Sequence, residues 1–257
     1  MLFDTHCHIN FADFSADFDA MLERAAVAGV SSMLCIGMQP TGGRDAINLA
    51  RRYPGRIHAS VGCHPYDAIH YTVQVAREFR ELLSQPEVVL FGEMGIDAVK
   101  SPSPLADQER AFEQQLELAG ELDLPVCIHS REAFPICSRI IRKVHPRGWK
   151  GFAHCFSDGP DEALGWKELG FKISFAGQIT FKNKSCDIIR DAARAITPDD
   201  AVIETDAPFL APQSQRGKRN EPAFVKHTAE KLAEIWGITP LEASTRTTAN
   251  ARAVLGL

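Results

Sequence analysis

Leu2-Phe3-Asp4-Thr5-His6-Cys7-His8 is a short apolar run that ends in two histidines one residue apart. Read as the first strand of a buried sheet, Leu2 to His8 turns His6 and His8 to one face, because alternate side chains of a strand share a face, and Cys7 to the other. Two imidazoles at the C-terminal tip of a strand are half of a metal site. A solvated histidine doublet is the competing reading of these residues, and the remaining strand tips decide between the two.

Outward from this stretch, apolar runs and helix-period segments alternate. Seven further strands are predicted, over Ser32–Gly37, Ile57–Gly62, Val88–Gly92, Pro125–His129, Lys150–His154, Phe171–Phe175 and Ala201–Thr205. Between them lie amphipathic segments. Phe14 to Ala28 carries an apolar stripe of Phe14, Phe18, Met21, Leu22 and Ala25 and is closed by Gly29. The next runs from after Pro40 to Tyr53, followed by Val73–Ser84, Leu105–Leu122, Ala133–Val144, Asp158–Leu169 and Ser185–Ala195. Two final helices, Pro222–Trp236 and Pro240–Leu255, each open on proline, and Thr239 is placed to cap the second. Strict alternation implies parallel strands with right-handed crossovers. Eight repeats in 257 residues suit a closed (β/α)8 TIM barrel. An open doubly wound sheet is disfavoured, since no Gly-rich dinucleotide loop follows the first strand. No linker or low-complexity stretch divides the chain, so residues 1–257 are expected to form a single barrel domain.

Composition narrows the class. Hydrophobic residues make up 45% and charged residues 24%, ordinary for a globular protein with a full core. A net charge of −5 argues against nucleic-acid binding through a broad basic surface and leaves room for a weak, locally anchored substrate. The seven cysteines contain no C-x-x-C pair and sit mostly in apolar runs, which points to a reducing cytoplasm rather than a disulfide framework. No membrane-length apolar run is present, and no obligate protein partner is evident.

In a TIM barrel, active sites sit at the C-terminal strand ends. Those tips carry His6 and His8, His64, Glu93, His129, His154 and Asp206, so five of the nine histidines lie at strand ends. Singly, each has an ordinary role: a core histidine, a helix cap, a turn-forming aspartate. Together they are costly to gather without a cation. Imidazole nitrogen with carboxylate oxygen suits Zn2+, Mn2+ or another borderline divalent ion better than Ca2+. Six ligands exceed one catalytic zinc, which implies two ions bridged by a carboxylate and a water. Glu93 is the expected bridge, His6, His8 and Asp206 the ligands of one ion, and His129 and His154 those of the other. Asp206 is the candidate general base. Arg131 and the loop cations Arg216, Lys218 and Arg219 form a candidate phosphate clamp against the reading of a solvated loop. His64 is placed to hold a phosphate or to protonate a leaving group.

Several of these stretches, in order and at matching spacing, resemble the TatD family of metal-dependent deoxyribonucleases. They are Asp4-Thr5-His6-Cys7-His8, Gly62-Cys63-His64-Pro65, Gly92-Glu93-Met94-Gly95-Ile96-Asp97, Ile128-His129-Ser130-Arg131-Glu132-Ala133, His154-Cys155-Phe156-Ser157, Glu204-Thr205-Asp206-Ala207-Pro208 and Arg216-Gly217-Lys218-Arg219-Asn220-Glu221-Pro222. The resemblance implies hydrolysis of DNA or another phosphodiester with two divalent ions (Zn2+, Mn2+ or Mg2+) on His6, His8, Glu93, His129, His154 and Asp206. Two mouth loops depart from the family pattern. Ala98-Val99-Lys100 stands where an aromatic residue is common, and Asp158 where glycine is usual. An amidohydrolase or deacylase on the same barrel is the alternative. Such relatives often bridge their metals with a carbamylated lysine, whereas Glu93 occupies the strand 4 tip here. A binding-only module with a relict site is the third reading, disfavoured by the intact ligand set.

Overall fold

A computed structural model describes residues 1–257. Its strands are β1 (Leu2–Cys7), β2 (Val30–Met38), β3 (Ile57–Gly62), β4 (Val88–Asp97), β5 (Val126–Arg131), β6 (Gly151–Ala153), β7 (Phe171–Phe175) and β8 (Ala201–Ile203). They form one eight-stranded sheet in sequence order, and every pairing is parallel. The two edges meet. Thr5 Oγ1 donates to Ile203 O at 3.0 Å, and the N–H groups of Asp206 and His8 donate to His6 O and Ala207 O at 2.9 and 2.7 Å. The sheet is thereby rolled into the expected TIM barrel.

The helices are α1 (Phe18–Val27), α2 (Gln39–Arg52), α3 (Val73–Leu83), α4 (Leu105–Leu122), α5 (Phe134–Val144), α6 (Pro160–Glu168), α7 (Asp187–Ala195), α8 (Val225–Trp236) and α9 (Pro240–Leu255). None is long and apolar enough to cross a membrane. Thr239 caps α9 as its sequence implies, its Oγ1 accepting the Glu242 N–H at 3.1 Å. Strand parity sorts the core into two layers. Cys7, Met33, Cys35 and Val61 face the helices, whereas Phe3, Leu34, Ile36, Leu90, Cys127, Phe152 and Val202 fill the barrel. Ala251, Val254 and Leu255 of α9 join that inner filling. The same helix bonds to Met1 O through Thr248 and to Ala201 O through Asn250, so it plugs the N-terminal end of the barrel. The opposite end is left for chemistry.

Several boundaries differ from expectation. The strand predicted to stop at Gly92 runs on to Asp97. Gly92 and Gly95 adopt φ of +150° and +141°, and a Cβ at either would collide with the backbone of Cys127 or His129. Glycine at both places lets β4 press against β5 through the whole mouth. The expected helix from Phe14 is a 3-10 turn, Ala12–Phe14, before α1, and the one from Pro222 likewise opens as a 3-10 turn, Pro222–Phe224. Strands β6 and β8 end early, at Ala153 and Ile203, because the chain turns through positive φ at Cys155 and Asp206.

Candidate metal centre

Six expected ligands meet at the barrel mouth, with Glu93 at their centre. Its Oε1 accepts the His129 Nδ1–H at 2.6 Å and lies 3.5 Å from His154 Nε2. Its Oε2 lies 3.4 Å from His6 Nε2. Asp206 Oδ1 is 3.4 Å from His8 Nε2 and 3.8 Å from His6 Nε2, and those two ring nitrogens are 3.3 Å apart. The His6 and His154 rings stack with centroids 3.5 Å apart. The carboxylate of Glu93 thus divides the site, one oxygen toward His6 and the other toward His129 and His154. His64 also reaches Glu93, its Nε2 3.5 Å from Oε1. Because His64 Nδ1 accepts the Tyr66 N–H at 3.1 Å, a neutral His64 carries its proton on Nε2, facing the site.

Behind these residues stand three carboxylates that were not singled out from the sequence. Glu204 Oε1 lies 2.8 Å from His154 Nδ1 and accepts the Cys155 N–H at 2.9 Å, while its other oxygen accepts the Ser174 hydroxyl. Asp97 Oδ2 lies 3.4 Å from His129 Nε2, and Oδ1 accepts the N–H groups of Val99 and Lys100 at 2.9 and 2.7 Å. Asp4 accepts both the N–H and the hydroxyl of Thr205, at 2.9 and 2.6 Å, and so fixes the residue before Asp206. Each lies two or four residues from a ligand (Asp4 before His6, Asp97 after Glu93, Glu204 before Asp206), a spacing that could have pointed to them.

The electrostatics follow from burial opposed by close partners. Burial pushes the Asp4 carboxyl up to about 8, against the bonds from Thr205. Burial would also raise Glu93, yet the charges of His154 and His64 and the bonds from His129 and His6 hold it well below the carboxylate range. His154 is lifted to about 10 despite its burial, by Glu204 and Glu93. His129 is raised, against burial, by Asp97 and Glu93. His6 goes the other way, lowered by burial and by the charge of His154.

This donor set fits divalent cations. Donor atoms of His6, His8 and Glu93, and of His64, Glu93 and His129, lie within 4.8 Å of one another in each group. Nitrogen and oxygen donors in this proportion suit borderline ions. His6 Nε2 and His8 Nε2, 3.3 Å apart, can share one N–H···N bond or a cation between them.

The basic residues divide. Arg219 is committed elsewhere: its guanidinium donates to both Asp17 oxygens at 2.8 and 2.9 Å and covers the Phe14 ring at 4.4 Å. Arg219 thus ties the loop after β8 to the loop after β1, sharing with Asp17 the charge expected to serve a phosphate clamp. Arg216 lies over the Phe181 ring at 4.2 Å, and Lys218 donates to Gln215 Oε1 at 2.9 Å. Arg131 ends β5, beside Asp97 in register.

Residues 3–256 match the family model described as TatD related DNase. The chain is 37% identical over 252 residues to the uncharacterized metal-dependent hydrolase YabD of Bacillus subtilis, covering 98% of each chain. It is 32% identical over 260 residues to the 3'-5' ssDNA/RNA exonuclease TatD of Pantoea vagans, covering 100% of both. Among solved structures, YjjV, a TatD homolog from Escherichia coli, superposes with a TM-score of 0.92 at 28% identity, covering 100% of this chain and 98% of the other. The phosphotriesterase homology protein of Escherichia coli shares the fold, with a TM-score of 0.68 at 14% identity over 97% of this chain and 98% of its own.

Proposed function

The chain belongs to the TatD-related DNase family and is a metal-dependent hydrolase, and from that premise we propose that it cleaves phosphodiester bonds of single-stranded nucleic acid using two divalent ions. The observation that carries this reading is Glu93, whose two oxygens face two separate groups of imidazoles. His6, His8, Glu93 and Asp206 would hold one ion, and Glu93, His129 and His154 the other. Zn2+, Mn2+ and Mg2+ are the candidate ions. When bound, such ions lower the pKa of water and stabilise the attacking and leaving oxygens of a displacement.

The chain's own residues supply the rest. At 14% side-chain exposure, Asp206 is more open than Glu93 at 3%, and it serves as general base toward the attacking water. His64, with its proton held on Nε2, faces the site as donor to the leaving oxygen. Arg131, Arg216 and Lys218 hold phosphates along the mouth, which suits weak and local binding by an acidic protein. Glu204 and Asp97 hold His154 and His129 in the orientation that binding needs. Residues 1–257 act as one barrel domain, and seven free cysteines suit a cytoplasmic location.

The test is a substrate panel. Metal-loaded protein is offered single-stranded oligonucleotides, small amides and carboxylic esters. The proposal requires nucleotide release from the oligonucleotides at a rate exceeding turnover of the others. Turnover of an amide with no nucleotide release refutes it.

A further inference from the structure

A histidine that binds a metal through one ring nitrogen is aimed by whatever its other nitrogen meets. For His154 and His129 that partner is a carboxylate, Glu204 at 2.8 Å and Asp97 at 3.4 Å. His6 is built differently. Its Nε2 faces His8, Glu93 and Asp206, so Nδ1 points down into the barrel, where the sulfur of Cys127 lies 3.5 Å away. We propose that Cys127 is a positioning residue of the metal centre: its sulfur accepts the His6 Nδ1–H and fixes the tautomer that leaves Nε2 bare toward the ion. This inference rests on the metal-centre reading above.

Three observations carry it. His6 is 0% exposed and Cys127 1%, so water cannot serve as acceptor for Nδ1–H, and without the sulfur a buried donor would lack a partner. The Cys127 sulfur and nitrogens of His6 and His154 lie within 4.8 Å of one another, but the sulfur meets His6 at Nδ1 whereas Nε2 faces His8, Glu93 and Asp206, so on His6 it acts through the ring. Stacking on His154, with ring planes 18° apart, sets the plane of His6 and leaves its flip to be decided by the partner at Nδ1. A carboxylate in place of the thiol would add another buried negative charge to a mouth that already holds buried Glu93 and Glu204.

The test uses the full chain and Zn2+, with dissociation constants from competition with a chromophoric chelator for Cys127→Ser, Cys127→Val and Cys127→Ala. Removing the partner of a metal-bound histidine weakens binding by about 10–100-fold, and a weak acceptor such as sulfur belongs near the lower end, about tenfold. Cys127→Val fills the space without accepting a hydrogen bond and is expected to lose about tenfold, as is Cys127→Ala, whereas Cys127→Ser keeps an acceptor and stays within about threefold of wild type. Wild-type affinity in Cys127→Val, or equal losses in Cys127→Val and Cys127→Ser, would show a packing role and overturn the proposal. A long-range 15N–1H spectrum of the zinc-loaded wild type decides the matter even where a variant fails to fold: Nδ1-protonated His6 supports the proposal, and Nε2-protonated His6 refutes it. A wild-type chain that binds no Zn2+ refutes the metal centre itself, a separate failure.

Discussion

Replacing Glu204 by glutamine removes one buried charge and almost nothing else. Glu204 Oε1 faces His154 Nδ1 at 2.8 Å and accepts the Cys155 N–H at 2.9 Å, and Oε2 accepts the Ser174 hydroxyl. A glutamine can keep its oxygen toward His154 and Cys155 and turn its NH2 to Ser174, whose hydroxyl can accept and redirect its own proton to Thr5 Oγ1, 3.3 Å away. The fold should therefore lose little. Metal affinity should not escape, because the partner of a metal-bound histidine is worth about 10–100-fold, or about 1.4–2.8 kcal/mol. The short, buried contact places Glu204→Gln toward the upper end of that range. The deficit also depends on pH. The wild-type His154 is lifted to about 10 by Glu204 and Glu93 against burial, so between neutral pH and 10 the ion must displace a proton from it. Wild-type affinity then climbs up to about tenfold per pH unit, whereas the variant, with a lower His154 pKa, levels off sooner. The gap between them should widen from pH 7 to pH 9. Hydrolysis titrated with Mn2+ or Zn2+ near pH 10, where proton competition at His154 has largely ended, measures this directly: the half-activating concentration rises about 10–100-fold while the saturated rate stays near wild type. Glu204→Ala is the control, since it orphans the partly buried Cys155 N–H and costs about 1–3 kcal/mol of stability as well. A half-activating concentration unchanged in Glu204→Gln would refute the reasoning.

Four further outcomes are expected. Glu93→Gln should melt near wild type but lose several kcal/mol of transition-state stabilisation, on the order of 10³-fold in turnover, read in a metal-saturated assay; retained activity would remove Glu93 from the centre. Zn2+ binding at pH 7.5 should release at least about one proton, because His154 and His129 are both raised in the free protein; calorimetry in buffers of different ionisation enthalpy measures it, and zero release contradicts the assignment. Asp158 is pushed up to about 6 by burial, with Glu162 and Glu132 adding to the rise, so the folded state disfavours its ionised form and Asp158→Asn should gain stability as pH rises from about 4 through 6. Allowing for partial solvent exposure, the gain above pH 7 is about 1 kcal/mol in urea titrations, and an equal gain at pH 4 would refute the cause. Arg219→Ala should lower the melting temperature and leave the Michaelis constant for oligonucleotides nearly unchanged, whereas Arg216→Ala should raise that constant severalfold; the reverse pattern would place Arg219 in the clamp.

The fold was legible because its signal is repetitive. Eight apolar runs spaced by helix-period segments leave few topologies, and β3, β7, α4 and α9 fall where the pattern places them. The departures arise where backbone freedom and tertiary contact override local pattern. Gly92 reads as the end of a strand, yet the missing side chains of Gly92 and Gly95 are what allow β4 to continue against β5. The convergence of His6, His8, Glu93, His129, His154 and Asp206 could be anticipated because a barrel gathers its strand tips. Arg219 shows the limit of that logic. Its place in a mouth loop suggested a free cation, but Asp17, which meets it, lies 202 residues earlier, and nothing in the local sequence announces the pair. Cys127 was hidden for a related reason: an apolar strand presents a cysteine as one more small hydrophobe, and only the closed barrel brings its sulfur to His6.

The central claim is that one carboxylate, Glu93, bridges two ions at the barrel mouth. Anomalous difference maps from crystals of the Mn2+-loaded protein test it most directly. The account requires two peaks roughly 3.5–4 Å apart, one beside Oε2 with His6, His8 and Asp206 and the other beside Oε1 with His129 and His154. A single peak at saturating Mn2+, or two peaks that Glu93 does not join, would contradict it.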